Sequence, residues 1–582
     1  MQWTTSFLTT SLLVASATSW AAQVTDSIAP EGNTGLEHKQ IVNTKDYMVT
    51  AANPLATQAG ADILKQGGNA IDAMVTVQLV LGLVEPQSSG IGGGAFLVYW
   101  DAKNQTLTSY DGRETAPLNA TPQLFLDEQG QPMEFYDAVV GGRSVGTPGV
   151  VKLLWETHQK YGKLEWHKLI EPVAKLAEQG FKISPRLATL IASDPERLSR
   201  FPTTKAYFFN ADGSPKTAGT ILKNPQYAAT LRTIAKEGAK AFYHGEIAAD
   251  IIKTVQNAPG NPGVLSQKDF DTYTVKQRAP VCVNYASYDV CGMGLPSSGG
   301  LTVAQILKLT EGYDLKGWGA DNVQSWQVIA NASQLAFADR DLYMADTDFV
   351  PVPTEGLLDS EYLQDRAKLI HQGKALESAH AGTPPWKHAQ HQSPDEAIEL
   401  PSTSHFNIVD KEGNVVSITT SIENEFGSRL MVRGFLLNNE LTDFSFRTQQ
   451  DGHPIANRLE PGKRPRSSMA PTIVMQDKKP YMAIGSPGGS YIIGYVAQAL
   501  IAHIQWGMDI QQAIDLPHLI NRFGVIDVEQ NTSAEQFAPE LEKMGFEVNI
   551  RDLNSGLHAI RITADGLEGA ADPRREGAAI GE

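Results

Sequence analysis

At 582 residues the chain exceeds one ordinary core, which predicts two domains or one large layered one. Its composition, 42% hydrophobic and 19% charged, is that of a globular protein. A formal net charge of −17 argues against nucleic acid and anionic membrane as partners, but says little of small substrates, because local charge in a cleft can oppose the global sign.

The first 22 residues are apolar, rich in small residues and free of acidic ones. A short hydrophobic run from Phe7 to Ala17 precedes Ser19-Trp20-Ala21, which offers small residues at −3 and −1 for cleavage. Residues 1–21 therefore read as a signal peptide, although the n-region lacks Lys and Arg, and the chain as exported, periplasmic or secreted. No later apolar run reaches the roughly 18 residues that span a bilayer. An amphipathic helix, a Gly-Gly-Asn turn at 67–69 and a more apolar helix from Ile71 fill residues 55–85. Glycines crowd 90–94, yet they precede a strand, Ala95 to Trp100, so no helix N-terminus faces an anion and a phosphate loop is rejected. Residues 150–256 read as mostly helical. Strands follow from 271, then Pro-Ser-Ser-Gly-Gly at 296–300 opens a helix, and helical periodicity resumes at 321–344.

The only cysteines, Cys282 and Cys291, sit at opposite ends of a predicted hairpin. A disulfide and two buried thiols are both open readings. Residues 371–402 are polar, carry four prolines and have no sustained period, which predicts a loop or an exposed tail. Its His388 and His391 have metal-like spacing, but in such a segment they read as a solvated face. Residues 403–582 hold strands, two glycine-rich turns and a helix around Ile492 to Trp506.

The stretch that carries chemistry begins at Thr403. A threonine hydroxyl is a poor nucleophile unless a base sits beside it, and cutting the chain before Thr403 would supply that base as the residue's own α-amino group. The reference pKa of such an amine, near 8, suits neutral pH. Residues 405–421 read as two alternating strands joined by a Lys-Glu-Gly-Asn turn, which would hold the nucleophile on a rigid sheet edge.

Nine sequence blocks give these features a context. They are Gly-Gly-Asn-Ala-Ile-Asp-Ala at 67–73, Gly-Ile-Gly-Gly-Gly at 90–94, Asp-Gly-Arg-Glu-Thr-Ala-Pro at 111–117, Pro-Ser-Ser-Gly-Gly at 296–300 and Phe-Ala-Asp-Arg at 337–340. Later come Leu-Asn-Asn-Glu at 437–440, Arg-Pro-Arg-Ser-Ser-Met at 464–469, Gly-Ser-Pro-Gly-Gly-Ser at 485–490 and Asp-Pro-Arg-Arg-Glu-Gly at 572–577. With these blocks the chain, from about Met48 to Glu582, resembles the γ-glutamyltransferases (glutathione hydrolases) of the N-terminal nucleophile hydrolase superfamily. The resemblance implies an α+β fold, a four-layer αββα sandwich built from two subunits of one self-cleaved precursor. Cleavage between Ser402 and Thr403 would leave a large subunit, 22–402, and a small subunit, 403–582, with 371–402 as the frayed end of the large one.

The resemblance also implies the site. Thr403 would attack the γ-carbonyl of a γ-glutamyl compound such as glutathione, giving a threonine ester that passes to water or an amino acceptor. Gly488 and Gly489 would supply oxyanion amides, each such donor worth about 3 kcal/mol. Ser421 would be the second hydroxyl beside the nucleophile. Arg113, with Ser467 and Ser468, would hold the substrate α-carboxylate through bidentate geometry that lysine lacks. Asp443, Glu440 and Glu423 would surround its α-ammonium, and their mutual repulsion should raise at least one pKa. No metal or organic cofactor is required. The segment between Asp443 and Ser467 is shorter than a covering lid, which predicts an open cleft. The rival expectations are a cephalosporin (glutaryl) acylase of the same superfamily and an unprocessed, inactive binding homologue.

Overall fold

The structure, a computed structural model, describes residues 35–388, 392–397, 399–400 and 402–582. The expected signal peptide and His391 lie outside the described residues. Two seven-stranded antiparallel sheets stack between two layers of helices. One sheet runs in the order Ala578–Gly581, Met48–Ala51, Ser404–Val409, Val415–Ser421, Gly94–Asp101, Thr106–Gly112, Lys276–Arg278. The other runs Val42–Thr44, Gly566–Ala571, His558–Thr563, Lys479–Gly485, Thr472–Gln476, Tyr288–Gly292, Val281–Tyr285. Both sheets draw strands from either side of Thr403. The result is one layered αββα body rather than two domains.

The layering explains the strand sequences. In the first sheet Phe406, Ile408, Val416 and Ile418 face the helices Pro54–Lys65 and Ala70–Val84. Alternate residues face the second sheet: Asn407 donates to the His558 carbonyl at 2.9 Å and Ser417 to the Ile484 carbonyl at 3.3 Å. Every residue of Ser404–Val409 and Val415–Ser421 is buried, because a period of 2 places side chains against a layer on each face.

Local signals act where they stand in the chain. Asn53 caps Pro54–Lys65, with Pro54 at the first helical position. Asn69 and Asp72 form a capping box that starts Ala70–Val84. On the far side, Gly299–Thr310, Val323–Tyr343 and Tyr491–Ile504 complete the fourth layer. Cys282 and Cys291 are directly opposed partners in the hairpin, and a disulfide joins them. Among the described residues no helix is long and apolar enough to cross a membrane.

Two expectations are corrected. The strand after Thr403 is not at a sheet edge; it is central, paired to Met48–Ala51 on one side and Val415–Ser421 on the other. Two neighbouring strands fix the strand that follows Thr403 more firmly than one could. Nor is the 371–402 segment simply an exposed tail. Its described residues form no helix, and its last part, including Glu399, Leu400 and Ser402, is buried in the body of the protein.

Candidate active site

Thr403 directly precedes the central strand and is 3% exposed. The ladder pairs Ser404 with Thr420, so Ser421 arrives beside Thr403 from the neighbouring strand. The Thr403 hydroxyl donates to Ser421 Oγ at 3.3 Å, and the Ser421 hydroxyl donates to the Ser402 carbonyl at 2.9 Å. The backbone N–H of Glu423 donates to the same Ser421 oxygen at 2.8 Å. Ser421 thus bridges the Thr403 hydroxyl and the carbonyl of the bond before it, polarising that carbonyl as a single hydrogen-bond donor. Ser402 is fixed from its own side chain, which donates to the Gln87 carbonyl at 2.7 Å.

Beside the Thr403–Ser404 segment lies a buried carboxyl group. Ser404 Oγ donates to Glu85 Oε2 at 3.3 Å. Burial pushes the Glu85 pKa up to about 8, with Arg575 only partly opposing the shift. Its place at the end of Ala70–Val84 also sets it against a helix C-terminus, which disfavours a negative charge.

Gly488 and Gly489 form the turn between Lys479–Gly485 and Tyr491–Ile504. Their φ values, +135° and +56°, require glycine. A Cβ on Gly489 would lie 2.8 Å from Leu400 C and 2.9 Å from the Glu399 carbonyl oxygen, so the chain preceding Thr403 passes directly over this turn. Gly488 faces Tyr495 and is not part of the cavity lining around Thr403.

Arg113, Glu423, Glu440 and Asp443 gather around that cavity, as do Ser467 and Ser468. Their pairing differs from the simple expectation. The Arg113 guanidinium is fully buried and ion-paired to Glu440 and Asp443, the carboxylates assigned to a substrate ammonium. It also donates to the carbonyls of Pro465 at 3.2 Å and Arg466 at 2.8 Å. A guanidinium has five N–H donors in a plane, and most of them are used here. Ser467 Oγ accepts from the Met469 N–H at 3.1 Å, while its carbonyl accepts from the Ser298 hydroxyl at 2.7 Å.

The expected carboxylate repulsion is present. Burial, then Asp443 and Glu440, hold the Glu423 pKa well above the usual carboxylate range. Burial does the same to Asp443, where Arg113 offsets the charge of Glu440 only in part. Glu440 is also raised by burial, against the attraction of Arg113. Glu114, missed in the sequence, belongs to this group: burial and then Glu440 push it well up. Arg340, Arg466 and Glu399 were missed as well. Arg340, Arg466 and Glu114 stood inside quoted sequence blocks, but nothing in their local spacing pointed to their partners.

The space left around Thr403 is about 20 Å3, room for one water molecule. The cavity is narrowed by the chain that precedes Thr403, and not by the segment between Asp443 and Ser467. Residues 446–462 do not line the cavity; there Gln449–Gln450 and His453–Pro454 pair as a small hairpin, and Ser393 bonds to it. Glu399 and Leu400 fill the cleft instead.

Known proteins share this arrangement of chain. The family described as gamma-glutamyltranspeptidase matches residues 56–582. The glutathione hydrolase proenzyme of Bacillus subtilis (strain 168) is 38% identical over 558 residues, covering 94% of this chain and 93% of its own. The glutathione hydrolase proenzyme of Escherichia coli (strain K12) is 35% identical over 562 residues, covering 94% of each chain. Among solved structures, the cephalosporin acylase from Bacillus halodurans superposes with a TM-score of 0.82 at 26% identity, over 95% of this chain and 99% of that one. With a family match over most of its length and full-length relatives well above 30% identity, the chain belongs to the γ-glutamyltranspeptidase family of enzymes.

Proposed function

We propose that the chain is the precursor of an exported γ-glutamyl hydrolase and transferase that cuts itself between Ser402 and Thr403. The observation that carries this reading is the Ser421 hydroxyl, hydrogen-bonded to both Thr403 Oγ1 and the Ser402 carbonyl. Thr403 Oγ attacks the Ser402 carbonyl carbon, and Ser421 stabilises the developing oxyanion. The C–N bond then breaks, the nitrogen takes the proton, and the acyl group is left on oxygen as an ester. Water hydrolyses that ester, freeing the Ser402 carboxylate and the Thr403 amine.

The freed amine acts as base to its own hydroxyl for the second chemistry. Thr403 attacks the γ-carbonyl of glutathione or another γ-glutamyl compound, and the amides of Gly488 and Gly489 receive the oxyanion. Arg113, Ser467 and Ser468 take the substrate α-carboxylate, and Glu423, Glu440 and Asp443 take its α-ammonium. The ammonium would replace part of the positive charge that Arg113 now gives to Glu440 and Asp443. The glutamyl group leaves to water or an amino acceptor.

The test is the intact mass of purified chain after incubation at neutral pH, beside Thr403→Ala. Two fragments meeting at Ser402/Thr403 in the parent alone support the reading; a folded, uncut parent sinks it. The likeness to a cephalosporin acylase gives a second reading of the same nucleophile, acting on glutaryl side chains. Besides Glu399, which precedes the proposed cut, the three acidic side chains of Glu423, Glu440 and Asp443 line the cavity and favour a substrate that carries an ammonium. Faster turnover of a glutaryl than of a γ-glutamyl anilide would reverse that preference.

A further inference from the structure

The cleft of the uncut chain is filled by the chain itself, and one side chain anchors the filling. Glu399 lies four residues before Thr403 in a segment whose described residues form no helix or strand, yet it is 7% exposed. A buried carboxylate is costly unless it is paired and hydrogen-bonded. Here the Arg340 guanidinium and the Ser468 hydroxyl both donate to it, and Arg466 Nε stands 3.5 Å away. Burial alone would raise the Glu399 pKa, but Arg340 and Arg466 outweigh it and hold the group below its ordinary value.

The receiving groups are set in place by other bonds. Arg340 Nε donates to Ser298 Oγ at 2.9 Å, and its Nη2 donates to Ser468 Oγ at 2.8 Å. Ser298 in turn holds the Ser467 carbonyl through both its hydroxyl and its N–H, each at 2.7 Å. Arg466 also binds Asp395 at 3.0 Å, so one arginine meets two acids of the same segment. Between this anchor and Thr403, the Leu400 N–H donates to Glu423 Oε1 at 3.3 Å, and the Glu399–Leu400 backbone presses on Gly489.

We propose that Glu399 is an internal ligand of the site: its carboxylate on Ser468, Arg340 and Arg466 positions the Ser402 carbonyl for attack by Thr403 and bars a free amino-acid carboxylate until the cut is made. The proposal rests on the self-cleavage reading above and adds to it the residue that seats the strap. It also gives a physical reason for the strap to leave. Cleavage ends the tether to Thr403 and creates a new carboxylate at Ser402, close to a pocket already holding Glu423, Glu440 and Asp443. A carboxylate is costly to bury without a partner, so the cut end is driven toward water.

Two measurements on the full-length chain test this. L-Glutamate is titrated calorimetrically into uncut Thr403→Ala and into Thr403→Ala/Glu399→Gln. The double variant is expected to bind at least tenfold more tightly, a gain that a merely structural residue would not give. Equal affinity would overturn the barring role. Separately, the rate of cleavage is followed by intact mass for the parent, Glu399→Gln and Glu399→Asp. At least a tenfold slowing in Gln with partial recovery in Asp is expected, and an unchanged rate in Gln overturns the positioning role. Gln is close in shape to Glu, and thermal unfolding of the same samples separates a slow cut from a misfolded chain. A parent that never cuts would sink the self-cleavage reading itself, and the titration would still decide whether Glu399 occupies the site.

Discussion

The two flanks of Thr403 are held by opposite means. Downstream, Ser404–Val409 is laddered to a strand on each side, and Phe406 and Ile408 are fully buried against helices. Upstream, the described residues from 392 to 402 have only isolated bridging, and apart from buried Leu400 they are held mainly through carboxylates, hydroxyls and single backbone bonds. Apolar packing and a complete ladder do not depend on one peptide bond. Polar contacts exchange readily with water, each worth about 0.5–1.5 kcal/mol net. The cut proposed before Thr403 would need this asymmetry, since it keeps one flank and releases the other.

The comparison can be broken at several points. Replacing Thr403 by alanine is expected to abolish the cut and to lower γ-glutamyl turnover by more than about 10^4-fold, since both rely on the same oxygen; intact mass and an anilide assay read the two effects. Phe406→Ala attacks the downstream flank and is expected to cost about 3–5 kcal/mol of stability by leaving a cavity in a closed layer. Denaturant unfolding of Thr403→Ala with and without the second change measures it. The same truncation upstream, Leu400→Ala, should cost clearly less, and equal costs would undo the asymmetry.

Ser421→Ala removes the donor between the flanks and is expected to slow cleavage by about 10^2-fold, close to 3 kcal/mol, read as the half-time of fragment appearance. Glu85 sharpens the downstream side through pH. Its folded pKa, about 8, lies above the ordinary carboxylate value, so the folded state binds the extra proton between the two. The stability it contributes is complete below about pH 4.5 and is lost as pH rises through about 8. Glu85→Gln should flatten this part of the stability profile, by on the order of 3 kcal/mol at pH 9, in denaturant midpoints taken across that range. The smallest effect is expected far from Thr403: Cys282→Ser with Cys291→Ser opens a loop of nine-residue separation and should cost about 2 kcal/mol, with cleavage unchanged. A slowed cut in that variant would tie the outer hairpin to the site.

Residue order alone indicated the strand pair after Thr403 and the glycine turn at 488–489. Alternation over 405–421, the polar break before it and residues needing positive φ are local signals, and they survive into the fold. Arg113, Glu423, Glu440, Asp443, Ser467 and Ser468, grouped by the family resemblance, line one cavity. What tertiary structure decided was which of these charges face one another. Arg113 lies 327 residues before the Glu440 it binds and 330 before Asp443, and Arg340 meets Glu399 and Ser468 from a separate helix. The central place of Thr403's strand likewise depends on Met48–Ala51, more than 350 residues away. A sequence periodicity reports which face of an element is buried; it carries no information about the element that buries it. Ion pairs and sheet order are therefore settled only when both layers close, and in this chain they close over its own Glu399.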